Sequence, residues 1–117
     1  MTSLETAGRY LAEAGKDFDV GSDMSAILTA YSCMFHAGRA ILFMDGVQER
    51  SHKAICEYLK LKHNDLGVTY VNTFDTYREL RHAVAYGIDT ITRKEDSKKA
   101  INSAASFLER VKGYLKF

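Results

Sequence analysis

SDMSAILTAYSCMFHAGRAILFMDG, residues 22–46, is the stretch that decides the fold. Within it Met24, Ile27/Leu28, Tyr31, Met34/Phe35, Gly38 and Ile41/Leu42 recur at intervals of three and four. That spacing lays one apolar stripe along a helix. Ser22 is placed to cap its start and Asp45-Gly46 to end it. Ala30, Ala37 and Gly38 keep part of the stripe small, which permits close approach by another helix.

The pattern repeats on both sides of this segment. Leu4, Ala7, Leu11, Ala14 and Phe18 form a first stripe, opened by the capping pattern Thr2-Ser3-Leu4-Glu5, with Gly15 and Gly21 bracketing a frayed exit. Ser51 opens a shorter helix through Ala54, Ile55, Tyr58 and Leu59, which closes in the polar run His63-Asn64-Asp65-Leu66-Gly67. Val71, Phe74, Tyr77, Leu80 and Val84 make a fourth helix that stops near Gly87. Thr92-Arg93-Lys94-Glu95 reads as a second capping box, and Ile101, Ala104, Leu108, Val111 and Leu115 as the seam of a last helix from about Ser97. There is no proline, and no segment alternates at period two. The expected fold is therefore all-α: a four-helix up-and-down core with one additional short helix, in which short loops make neighbours antiparallel.

The 117 residues are 46% apolar and 26% charged, ordinary proportions for a single globular domain spanning 1–117 and unlike those of disordered or fibrous chains. No uninterrupted apolar run exceeds a few residues, and the N-terminus lacks the basic start and apolar stretch of a secretory signal. The expectation is a cytoplasmic chain without a membrane span. Net charge is +1, which argues against bulk attraction to polyanions. The charge is uneven, however: residues 1–46 sum to −3 and residues 47–117 to +4, so an anion site belongs in the second half. Cys33 and Cys56 fall in apolar helical patterns, read as reduced core residues, and are too few for a structural zinc site. Glycine-rich phosphate loops, paired carboxylates and histidine-rich metal motifs are absent from the sequence, and neither a cofactor nor a metal is expected.

The string Tyr31-Ser32-Cys33-Met34-Phe35-His36-Ala37-Gly38-Arg39-Ala40-Ile41-Leu42, followed by Gly46-Val47 and Ser51-His52-Lys53, resembles the HEPN family (higher eukaryotes and prokaryotes nucleotide-binding). The similarity is to its small stand-alone prokaryotic branch. It continues through Tyr77-Arg78-Glu79-Leu80-Arg81-His82-Ala83-Val84-Ala85-Tyr86-Gly87 and covers nearly the whole chain. The resemblance implies a helical bundle that forms a homodimer and handles RNA or nucleotides. Many members are ribonucleases of toxin–antitoxin pairs; others accompany a small nucleotidyltransferase, which in some of these pairs adenylylates a tyrosine beside the ribonuclease motif. That motif is an arginine, four to six residues and a histidine, often followed one residue later by a tyrosine. Here it falls on Arg78 and Tyr86, with Val84 where the histidine belongs. The branch usually reads Ala-Asp-Tyr where this chain has Val84-Ala85-Tyr86.

Arg78 and His82 are four apart on one helix face, where arginine can grip a phosphate and histidine can move a proton. They are the candidate catalytic pair, and equally they read as part of a solvated face. Arg81 and Tyr86 extend the same side into a candidate ligand groove, with Tyr86 also the candidate modification site. His36 and Arg39 are three apart among apolar neighbours, fitting either a cleft or an interface. His52 and Lys53 follow a cap in a first helical turn, where backbone amides attract anions. Three functions remain open at this level: a non-catalytic or weakly active RNA- or nucleotide-binding module with a nucleotidyltransferase partner, a metal-independent ribonuclease toxin using Arg78 and His82, and a purely structural helical dimerisation subunit.

Overall fold

The computed structural model describes residues 2–87 and 92–116, and it is all-helical there. The elements are α1 (Ser3–Asp19), α2 (Asp23–Met44), α3 (His52–Lys62), a single 3-10 turn (Asn64–Leu66), α4 (Val68–Ala85) and α5 (Lys94–Tyr114). Thr2 caps α1 by accepting the Glu5 N–H at 3.1 Å, and Ser51 caps α3 by accepting that of Ala54 at 3.2 Å. Two boundaries and one cap differ from the sequence reading. Helix α1 runs unbroken through Gly15 to Asp19, since hydrogen-bonded helix continues wherever nothing opposes it. Ser22 precedes α2 without a side-chain cap. The last cap is displaced by one residue: Asp96 accepts the Arg93 N–H at 3.0 Å, so α5 starts at Lys94 rather than near Ser97.

Contacts between helix ends give the direction of each element. Ser97, buried near the start of α5, donates to Asp23 at the start of α2 at 2.9 Å, and Lys94 reaches the Phe18 carbonyl at the end of α1. Arg110, late in α5, donates to the carbonyls of Asp65 and Leu66 just before α4, both at 2.8 Å. Helices α1, α2, α4 and α5 therefore run alternately up and down. The short α3 departs from the expected antiparallel rule. Its first residue His52 meets Tyr31 and Phe35, and His63 beyond its end meets Asp45 beyond the end of α2. Helix α3 thus lies along α2 in the same direction, because seven residues of linker can span roughly 23 Å and carry the chain back up the bundle.

Helix α2 is central, touching α1, α3, α4 and α5. Its buried residues include Tyr31, Met34, Ile41 and Leu42, which pack with Ile55, Leu59, Leu66, Phe74, Phe107 and Val111 in one cluster. The 22-residue α2, with an 18-residue stretch of mean hydropathy 1.3, is by length and composition long and apolar enough to cross a bilayer, which corrects the expectation that no segment is. In the fold it is the core helix, with Asp23, His36 and Arg39 along it. Gly38 is where it is approached most closely: a Cβ there would lie 3.1 Å from Phe74 Cε2 and 3.4 Å from Leu59 Cδ1. A side chain there would require the Phe74 ring to give by a few tenths of an ångström.

Candidate functional site

The junction of α2, α3 and α4 gathers the polar chemistry. Tyr31 is buried in the α2 stripe, yet a phenol hydroxyl needs a partner when it leaves water. It finds one in His52 Nδ1 at 2.7 Å. One helical turn beyond Tyr31, Phe35 stacks on the His52 ring with centroids 4.0 Å apart. Tyr31 also meets the edge of Phe74 on α4, at 5.6 Å between centroids. Phe74, Arg78 and Arg81 are spaced i, i+4, i+7 and share one side of α4. The contact that seats Phe74 therefore sets both arginines beside the Tyr31–His52 pair.

Asp75 organises the charge behind them. It accepts from Nε and Nη2 of Arg78, each at 2.8 Å, and from Lys60 Nζ at 2.7 Å. Burial opposes its charge, but the bonds from Lys60, Arg78 and Cys56 prevail and hold the carboxyl down at about 2. Burial, together with the charges of Arg81, Arg78 and His36, pushes His52 down to about 4, so at neutral pH this ring is uncharged. Burial raises the Tyr31 hydroxyl well above the ordinary phenol value, against the pull of Arg81 and Arg78, and it stays protonated. Burial likewise pushes the thiols of Cys56 and Cys33 up to about 11 and about 12, which keeps both as inert thiols.

The other candidates are divided between three places. His36 lies flat against Tyr10, with centroids 5.2 Å apart, and its pKa is lowered by burial and by Arg39. Arg39 spreads over Phe43 at 4.8 Å and Phe35 at 5.7 Å, and its buried Nε has no hydrogen-bond partner. Lys53 is exposed, so the His52-Lys53 dipeptide splits, one side chain turned into the junction and the other outward. Arg78 is closed onto Asp75, while His82 is exposed with its ring 4.5 Å from that of Tyr86, itself 74% exposed. Among the described residues no hydrogen bond or ring contact joins Arg78 to His82. Val84, at the motif-histidine position, is half-buried.

Sequence reasoning missed Asp75, Lys60 and the use of Tyr31. The single tyrosine in that apolar stripe, whose hydroxyl needs a partner once buried, was the available signal. A second network was also missed, because its residues lie far apart in sequence: Asp45 at the end of α2, Tyr58 in α3, His63 and Asp65 in the polar loop and Tyr114 at the end of α5. Asp45 accepts from Tyr58 at 2.7 Å and from His63 Nε2 at 2.6 Å, while Nδ1 of the same ring meets the Tyr114 hydroxyl at 2.6 Å. Tyr114 donates in turn to Asp65 at 2.7 Å. These bonds tie the end of α5 to the α3–α4 connection. Among the described residues no group of three or more His, Cys, Asp or Glu side chains is arranged to hold a metal ion.

An all-helical bundle carrying an arginine–tyrosine motif on its fourth helix defines a class of small α-helical domain. A model of the HEPN domain matches residues 1–114, and the chain belongs to that family. It is also 26% identical over 111 residues to the UPF0332 protein of Archaeoglobus fulgidus, a match covering 93% of this chain and 89% of that relative.

Proposed function

We propose that this HEPN domain protein is a binding module for phosphate-bearing ligands, RNA or nucleotide, which works with a nucleotidyltransferase partner in a toxin–antitoxin-like pair and does not cleave RNA robustly by itself. One observation carries the reading: the proton-moving pair of an active ribonuclease is not assembled. Val84 stands in the histidine position, and a branched alkyl group cannot transfer a proton. His82, the nearest substitute along the helix, has no hydrogen bond or ring contact with Arg78 among the described residues, and the Arg78 guanidinium is closed onto Asp75. Arg81, His82 and Tyr86 remain exposed along α4, which suits binding and, for Tyr86, modification by a partner.

The test combines cleavage with binding. A labelled single-stranded RNA should bind with an affinity that falls as salt is added, Arg81→Ala should weaken it across sequences alike, and the RNA should stay intact. Incubation with the nucleotidyltransferase, ATP and magnesium should add one nucleotide mass to Tyr86. Robust cleavage that His82→Ala abolishes while the fold survives would instead establish the ribonuclease reading.

The same proposal includes a homodimer through α2 and α4, supported by Phe43 and Met44, which stand 43% and 66% exposed at the end of α2. Exposed apolar groups clustered at a helix end suit an interface between copies. Light scattering at tens of micromolar, a concentration chosen to reveal modest affinity, should give twice the 13.2 kDa chain mass. The monomer mass would remove this element.

A further inference from the structure

His52 is not part of the arginine–histidine–tyrosine motif, yet the fold seats it against Tyr31 and Phe35, close enough to Arg78 and Arg81 for their charges to act on its ring. Its hydrogen bonding determines which ring nitrogen carries the proton. Among the described residues the Tyr31 hydroxyl has His52 Nδ1 as its hydrogen-bond partner and no other. Were Nδ1 to donate, the buried phenol proton would be left without an acceptor, a loss comparable to that of a whole hydrogen bond. Tyr31 therefore donates, Nδ1 accepts, and the proton of the neutral ring sits on Nε2. That atom has no protein partner and is not among the buried unpartnered atoms, so it opens to solvent. The result is a fixed N–H donor held by a tyrosine behind it and by Phe35 against its face.

The charges around this donor complete a pattern. Asp75 is taken up by Lys60 and Arg78, and Glu79 touches Arg78 at 3.7 Å. Arg81, on the same side of α4 as Arg78 and Phe74, has no acidic partner among the described residues. A neutral N–H donor near a guanidinium that has no acidic partner among the described residues presents donors to a ligand, which is what phosphate oxygens require. We infer that the junction is a phosphate subsite in which His52 Nε2–H and the Arg81 guanidinium hold one phosphate of the ligand, with Tyr31 as the positioning residue that locks the His52 tautomer. This deepens the binding function proposed above and rests on it. It places the phosphate against α3 rather than at the exposed His82–Tyr86 end.

The test uses the full chain labelled with 15N in histidine, titrated separately with 5′-AMP and with a short single-stranded RNA lacking terminal phosphate. The two arms distinguish a nucleotide monoester from an RNA diester. The free protein should show His52 as the Nε2–H tautomer, and the Nε2 resonance should move on titration with at least one of the ligands. His52→Phe and Arg81→Ala should each weaken that ligand about tenfold, the scale of one hydrogen bond to a charged group. His52→Gln should retain most of the affinity, because its amide N–H₂ reaches the place of Nε2. Tyr31→Phe should release the tautomer and lower affinity while circular dichroism stays unchanged. If a ligand binds and shifts His82 while His52 stays still, the subsite is refuted and the binding function stands. If neither ligand binds at millimolar concentration, both fall. Arg81 is exposed, so its variant reports on the subsite even if a junction variant fails to fold.

Discussion

Phe74→Ala should lower the free energy of unfolding by about 3–5 kcal/mol, the range for an aromatic truncated within a packed core. The side chain is fully buried, and it is where α4 is fastened to the rest of the bundle. Its ring meets the edge of Tyr31 on α2 and packs 5.7 Å from Phe107 on α5, while its Cε2 occupies the space that Gly38 leaves open. Against a total stability of about 5–15 kcal/mol, a loss of this size moves the urea midpoint far enough to measure by circular dichroism. Val71→Ala, on the same helix and also buried, should cost less, because valine leaves a smaller cavity. A loss below about 1 kcal/mol for Phe74→Ala would mean that α4 is held by something other than this contact.

The period of the apolar stripes was enough to identify the helices, because burial on one face of a 3.6-residue repeat leaves its mark residue by residue. The stripe from Met24 to Leu42 became the helix that touches every other helix, and Gly38 marked the close approach correctly. Less legible was what happens where stripes end. Residues 45–51 are long enough to reverse the chain or to carry it back, and nothing in their composition distinguishes the two. The parallel course of α3 is set by Ile55 and Leu59 packing near Gly38, which is a tertiary preference. The last cap moved by one residue for a similar reason: Asp96 and Glu95 are both suited to the first turn, and the geometry of Arg93 chose Asp96.

The site divides along the same line. Residues whose partners lie four positions away could be paired from sequence, and the ring contact of His82 with Tyr86 is of that kind. Tyr31 and His52 are 21 residues apart and meet only because α3 doubles back along α2. Sequence reasoning treated Arg78 as the natural partner of His82. The structure gives Arg78 to Asp75, three residues away and equally visible on the helix, where a carboxylate outcompetes an imidazole for a guanidinium.

Lowering the pH from about 7 to about 4 should destabilise the protein ahead of ordinary carboxylate protonation, and His52 should be a main cause. An unfolded chain titrates this ring near 6.5, whereas in the folded state burial and the charges of Arg81, Arg78 and His36 hold it down to about 4. The folded pKa is depressed, so the unfolded state binds the proton first as the pH falls. The contribution is whole above 6.5 and is lost progressively toward 4. His36, lowered by burial and by Arg39, acts in the same direction from the same upper limit. Asp75, held at about 2, loses its contribution only below its ordinary value of 3.8, and Asp45 and Asp65, also lowered, follow there. The two windows are therefore separable. Thermal unfolding of the wild type should show a midpoint that declines between pH 6.5 and 4, and His52→Gln, which cannot titrate, should decline less over that interval while matching the wild type's further loss below 3.8. Identical pH profiles for the two proteins would show that His52 is free to charge in the folded state. Protonation would then put a cation beside Arg81 at no expense to the fold, contrary to the packing of Tyr31 and Phe35 around the neutral ring.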